Sequence, residues 1–246
     1  MFTAIATIAV HTVLEALRNR LGWLLAALTA AVLGAGAFAG QLAITESAQA
    51  QVALVAALLR LCAVFVVAGF VVTSIAREAA DKGQELLLAL ALPRAAYVLG
   101  KLAGFFLVAL MPALVFGALA LVAAPPVAAL VWTASLVCEL WIVAAFALLC
   151  ALGMAHVVTA LAASAAFYLL ARIVGELALL AQARSGHLIV DLLAALLPHL
   201  DQFTRAEWLV YGDAGLAQLL PVLAQTALYL PLLAAAALVD LYRKNI

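Results

Sequence analysis

Charge is what this sequence has least of. Of its 246 residues only 10% are Asp, Glu, Lys or Arg, against 70% hydrophobic, whereas a soluble globule is nearer half apolar and a quarter charged. So few polar groups cannot cover a water-soluble surface, and a membrane protein is expected. Twelve Lys and Arg balance twelve Asp and Glu, so no net field points to nucleic acid or to an acidic partner. Cysteine is scarce too. Cys62, Cys138 and Cys150 are odd in number, lie in apolar segments and form no C-x-x-C, which argues against a thiolate metal site and leaves them as small hydrophobes. Three Met and no clustered soft ligands fit copper handling poorly. No G-x-x-x-x-G-K-[ST], H-E-x-x-H or G-x-S-x-G occurs, so the chain carries no phosphate cradle, zinc-protease helix or nucleophile elbow.

What the chain has in quantity is uncharged length. About 20 apolar residues cross a hydrocarbon core of roughly 30 Å, and six runs of that size occur: 21–45, 52–76, 102–122, 127–152, 156–180 and 214–239. The adjacent Pro125 and Pro126 separate the third from the fourth, because a proline pair cannot continue a helix. The expectation is an all-α polytopic protein, residues 1–246 forming a single transmembrane domain of six helices. Residues 187–200 are apolar but short, about 20 Å as a helix, and contain Asp191 and Pro198. They are expected to form a short, re-entrant extracytoplasmic helix rather than a span. Pro112, Pro221 and Pro231 fall inside spans and should bend them. Gly34, Gly36 and Gly40 allow close helix approach and could contribute to a dimer seam.

Residues 1–20 are patterned. Thr3, Thr7, His11, Glu15 and Arg18 line one helix face, and Phe2, Ile5, Ile8, Ala9, Val13 and Leu17 fill the other. An interfacial helix and a helix packed on protein fit this periodicity equally. Ala37-Phe38-Ala39 resembles a signal-peptide cleavage site, but the charged, patterned stretch before it is too long for a signal peptide. With six spans both termini share a side. That side holds Arg18, Arg20, Arg77, Lys82, Arg94, Lys101, Arg243 and Lys244, the other only Arg184 and Arg205, so the positive-inside rule places both termini in the cytoplasm.

Charges crowd together in one place, residues 77–101, REAADKGQELLLALALPRAAYVLGK. The spacing predicts a helix leaving the membrane, with Arg77–Asp81 and Glu78–Lys82 pairs at i,i+4. Gly83 permits a bend, and Leu86 to Leu92 span only about 10 Å before Pro93 ends the helix. Tyr97 and Lys101 suit re-entry at the membrane surface. A short apolar helix flanked by charges of both signs has the form of a docking element; a plain connecting loop is the other reading.

The order Glu78, Lys82-Gly83-Gln84-Glu85, Leu87-Leu88-Ala89, Pro93-Arg94, Gly100-Lys101-Leu102 resembles the cytoplasmic loop of type-2 ABC transporter permeases. The resemblance extends to the N-terminal helix ending in Leu17-Arg18-Asn19-Arg20, to Leu197-Pro198-His199-Leu200 with Gly212, and to the tail Tyr242-Arg243-Lys244. Gln84 stands where Thr is usual, and Pro93 directly precedes Arg94. The resemblance implies a bacterial inner-membrane permease subunit that pairs with a second copy of itself. Two cytoplasmic ATP-binding subunits would dock on Arg77, Glu78, Asp81, Lys82, Gly83, Gln84, Glu85, Leu87, Leu88, Pro93 and Arg94. His11, Glu15, Arg18 and Arg20 of the first helix would help transmit motion. ATP and Mg²⁺ would then belong to the partner, and this chain would bind neither a cofactor nor a metal.

Four charges lie inside spans: Arg60, Glu139, Arg172 and Glu176. Each costs about 2.5–3.5 kcal/mol at a helix centre on insertion scales, so each should face the bundle interior and find a partner. Spacing pairs Arg172 with Glu176 on one helix and leaves Arg60 and Glu139 as an interhelical pair. Such a cluster either lines a polar path or holds helices in register. An ion-coupled secondary transporter would use it for coupling, although no internal repeat is visible. An intramembrane enzyme would draw on His187, Asp191, His199 and Asp201, without an accompanying motif.

Overall fold

The computed structural model describes residues 2–42, 47–81, 93–182, 193 and 195–243. Among these described residues eight α-helices follow in order: α1 (Phe2–Arg18), α2 (Leu21–Leu42), α3 (Ser47–Ala80), α4 (Arg94–Ala123), α5 (Pro126–Gly153), α6 (Val157–Gln182), α7 (Glu207–Tyr211) and α8 (Leu219–Arg243). Short 3-10 turns occupy Leu200–Gln202 and Leu216–Gln218. Among the described residues there is no strand. Helices α2 to α6 and α8 are each long and apolar enough to cross a membrane, so the chain is an all-α, multi-pass membrane protein.

Helix α5 is the axis of the bundle and packs on α3, α4, α6 and α8. Small residues make this possible: Ala128, Ala129, Ser135, Ala144, Ala145 and Ala147 are completely buried and let neighbouring backbones approach. Gly117 of α4 meets Thr133 of α5 so closely that a Cβ there would overlap the threonine. Helix α1, Asp81, Pro93 and the end of α8 lie at one end of the bundle, the terminal end. The opposite, far end carries residues 124–125 and 195–215.

The spans differ from the sequence expectation at their edges. Helix α3 runs on to Ala80, and α4 begins at Arg94 rather than near residue 102. Tyr97, Val98, Gly100 and Lys101 are already buried helix, because α1 lies against this part of α4. A Cβ on Gly100 would sit 2.9 Å from Ile8 Cβ, and one on Gly104 would sit 2.6 Å from Thr12 Cβ. Helix α1 packs on α4 along one face, and its other face is left uncovered. The apolar residues divide: Ala9 and Ala16 are buried with Thr12, while Phe2, Val10, Leu14 and Leu17 stay exposed beside Thr3, Thr7, His11 and Arg18.

Gly36 and Gly40 serve a contact within the chain, where Val55 and Gln51 of α3 fill the space a side chain would need, whereas nothing approaches Gly34. Pro112 and Pro231 lie inside α4 and α8. Pro221 falls in the first turn of α8, where its missing N–H loses no helical bond.

Of the segment expected to be a short re-entrant helix, 187–200, residues 187–192 and 194 lie outside the described residues, and Leu193 and Leu196 are exposed. Among the described residues, Pro198 to Leu209 enter the bundle, with Leu200 and Phe203 fully buried and Trp208 and Leu209 nearly so. A count of apolar runs misses this part because polar residues separate these side chains in sequence.

Candidate functional site

Two polar constellations are built on this frame. The first closes the terminal end around the base of the charged loop. Lys82, Gly83, Gln84, Glu85, Leu87 and Leu88 lie outside the described residues, while Arg77, Glu78, Asp81, Pro93 and Arg94 mark where the loop leaves and returns. Of the two i,i+4 pairs expected from spacing, Glu78–Lys82 reaches outside the described residues, and Arg77 meets Asn19 rather than Asp81. Glu78 Oε2 is 2.7 Å from Lys101 Nζ, with the two side chains 14% and 9% exposed, and it also accepts a 3.3 Å bond from Tyr97 Oη. Arg77 donates from Nη1 to Asn19 Oδ1 at 2.8 Å, not to Asp81, which is exposed. For Glu78 the reason is burial, since the last turns of α3 lie against α4; Arg77 stays exposed and reaches the α1–α2 turn.

Ser74 and Arg94 complete this collar. Ser74 Oγ donates to Glu15 Oε2 at 2.7 Å, fastening α3 to α1. Arg94, at the first position of α4, donates from Nη1 to the carbonyls of Leu241 and Tyr242 at 3.1 and 3.4 Å. Its guanidinium also lies 5.6 Å from the Tyr242 ring centroid. The loop therefore hangs from a neck in which α1, α3, α4 and α8 are linked by side-chain bonds. His11, Arg18 and Arg20, also expected at this end, are exposed and make no bond among those described.

The second constellation lies in the far half of the bundle. Glu139 is completely buried on α5, and Arg172 of α6 places Nη1 3.7 Å from its Oε1. The same Nη1 donates to the carbonyl oxygens of Leu200 and of Phe203, the latter at 2.8 Å. Arg60 of α3 donates to the carbonyl of Thr204 at 3.0 Å, and the Thr204 N–H donates to Ser135 Oγ of α5 at 2.9 Å. Helix α8 contributes Gln225, which accepts from the His199 N–H at 3.0 Å. The pairing expected from spacing is thus corrected: Glu139 has Arg172 rather than Arg60 as its ion pair, and Glu176 is exposed outside the pair.

Both arginines serve an irregular backbone. A non-helical turn at membrane depth must have its carbonyls satisfied by protein, and Arg60 and Arg172 do this for three consecutive-turn carbonyls at Leu200, Phe203 and Thr204. Thr204, held at its N–H by Ser135 and at its C=O by Arg60, has φ of 43°. Ser135, Thr204 and Gln225 were invisible to a search for charges. The signal that would have found them is the pairing problem itself: a charge sum of zero does not require charge-to-charge contacts, because carbonyls also accept from arginine. Outside this clamp, Arg60, Arg172, Glu176, His199, Asp201 and Arg205 border a cavity of about 740 Å³.

Six apolar helices with a buried charge cluster, and a Glu78–Lys101 pair joining α3 to α4 at one end, define a multi-pass membrane protein whose architecture fits membrane transport in general. No protein-family model matches the chain, and no curated protein matches it.

Proposed function

We propose that this chain is the membrane-spanning subunit of an ATP-driven transporter of the type-2 ABC permease kind, working as a dimer with two cytoplasmic ATP-binding subunits. The observation that carries the reading is the neck. The nearly buried Glu78–Lys101 pair joins the two helices from which the charged loop hangs, and Ser74–Glu15 and Arg94 with Leu241 extend the link to α1 and α8. A plain connecting loop needs no such bracing. A push delivered to this loop by a motor subunit reaches four helices together, and three of them, α3, α4 and α8, pack directly on the α5 axis.

The loop residues themselves supply the docking chemistry: Asp81 and Glu85 with Lys82 around Leu86 to Leu92, charges of both signs beside an apolar run. ATP and Mg²⁺ sit in the partner, since phosphate binding needs a glycine-rich cradle that this sequence lacks. The excess of Arg and Lys at the terminal end orients that end, with both termini, to the cytoplasm.

The test is affinity purification of the full chain from membranes of the organism that encodes it, with ATP hydrolysis and subunit stoichiometry measured in the eluate. An ATP-hydrolysing protein is expected in equal copy number, and Asp81→Lys with Glu85→Lys should release it while the permease still folds. Transport without nucleotide or partner would overturn the proposal.

A second reading, an ion-coupled secondary transporter, has one observation in its favour: Glu139 is buried with neither carboxylate oxygen hydrogen-bonded. Glu139→Gln discriminates. Loss of ion-driven transport with no change in nucleotide dependence would favour coupling, whereas unchanged transport leaves the carboxylate a purely structural group.

A further inference from the structure

Between the terminal halves of α2 and α3 lies a groove of about 620 Å³ whose apolar walls none of the interactions above uses. The two helices touch at the far end through Gly36 and Gly40. Toward the terminal end they leave a trough walled by Leu24 and Leu28 on one side and by Leu61, Phe65 and Phe70 on the other. Gly69 sits in the trough with no atom within 4 Å of where its Cβ would be, so it forms a notch rather than a contact.

The trough has a polar mouth at one end only, made by Asn19 and Arg77. From Leu61 to Arg77 the α3 rise is about 24 Å, close to the depth of a single leaflet with its headgroups, roughly 20–22 Å. The charge at the mouth is positive. Arg77 is exposed and uses one donor on Asn19, and Arg18 and Arg20, both exposed, flank that asparagine in the α1–α2 turn. The neighbouring carboxylates are engaged elsewhere, Glu15 by Ser74 and Glu78 by Lys101; Asp81, one turn beyond Arg77, is the exposed exception. A guanidinium matches a phosphate with paired donors, and basic groups at the membrane surface attract anionic lipid.

We infer that this groove binds one anionic phospholipid, its phosphate at Arg77 beside Arg18 and Arg20 and one acyl chain along Leu24, Leu28 and Phe65 into the notch at Gly69. A neutral hydrocarbon cargo would leave the basic mouth unexplained, and a second copy of the chain would have to bring its own anionic group to the same depth. The site is independent of which motor, if any, drives the protein.

Native mass spectrometry of the full-length protein, delipidated and then titrated with phosphatidylglycerol or phosphatidylcholine, tests this. Wild type should retain one phosphatidylglycerol with a preference of about tenfold or more, Arg77→Gln should lose the preference, and Gly69→Leu should lose both lipids. The leucine meets open space, so that variant is expected to fold, which an unchanged melting temperature would verify. Equal retention of the two lipids by wild type, or undiminished binding to Gly69→Leu, would overturn the site. So would oxidation in native membranes that joins two copies through Cys62, which also lines the trough and would place a second copy over it.

Discussion

Arg172 reaches past Glu139. Its Nη1 lies 3.7 Å from the carboxylate, outside hydrogen-bond range, yet 2.8 Å from the carbonyl oxygen of Phe203 and in contact with that of Leu200. The ion pair is therefore the weaker half of the arginine's role, and backbone carbonyls at membrane depth are the stronger half.

Removing the two partners should have unequal effects. Arg172→Ala leaves a buried carboxylate without its ion-pair partner and the Phe203 carbonyl without its donor, while the Leu200 carbonyl keeps the Phe203 N–H, a loss of about 3–5 kcal/mol by the behaviour of broken buried pairs. Glu139→Gln keeps the shape and removes the charge, and because Arg172 keeps its carbonyl acceptors it should cost less, about 1–3 kcal/mol. Thermal unfolding in detergent reads the difference. Equal destabilisation by the two variants would show that the charge pair, not the carbonyl clamp, governs the site.

Legibility followed from how each feature is encoded. The six spans and the split at Pro125-Pro126 were readable because length without charge is a one-dimensional property. That Arg60, Glu139 and Arg172 fall inside long apolar helices was readable for the same reason. Their partners were not. Glu78 and Lys82 share a helix face by spacing, yet Glu78 meets Lys101, a residue brought close by the packing of α3 against α4. The buried segment around Phe203 was missed because its inward side chains are interrupted by Asp201, Gln202 and Arg205, which a hydropathy window averages away.

The Glu78–Lys101 pair offers a second test. With both side chains mostly buried, Glu78→Gln or Lys101→Met strands one charge and should lower stability by about 2–4 kcal/mol, less than a fully buried pair because some solvent remains. The exchange Glu78→Lys with Lys101→Glu restores the pair and should recover at least half of the loss. In the ATP-driven reading the single variants keep the motor subunit bound but weaken its coupling to transport. A double variant no better than either single one would remove the pair from the account of the neck.

Docking of α1 on α4 depends on absent side chains. Leucine at Gly104 would overlap Thr12, and leucine at Gly100 would press on Ile8 and on the Ile5 carbonyl, 3.3 Å from the new Cβ. Overpacking of this kind costs about 1–3 kcal/mol, and α1, held otherwise by few contacts to α2, is the element free to yield. Faster tryptic cleavage at Arg18 and Arg20 is the expected readout. Ser74→Ala, which leaves Glu15 without its donor, should act in the same direction but more weakly. Wild-type cleavage rates in both glycine variants would mean that α1 does not rest on those positions.

Thr204 and Ser135 separate backbone strain from hydrogen bonding. Thr204 is β-branched in the left-handed region at φ 43°, a conformation that costs on the order of 1–3 kcal/mol, and its hydroxyl is buried without a partner. Glycine there relieves the strain and leaves a void of a few atoms, opposing effects of about 1 kcal/mol each, so Thr204→Gly should lie within about 1 kcal/mol of wild type. Ser135→Ala deletes a single oxygen, but that oxygen accepts the buried Thr204 N–H, and an orphaned donor costs about 1–3 kcal/mol with nothing gained in return. The smaller deletion should therefore be the more damaging one, as read from unfolding midpoints of the two variants in the same detergent. If Thr204→Gly proves the worse of the two, the turn is held by the threonine side chain and not by the clamp of Ser135 and Arg60 on its backbone.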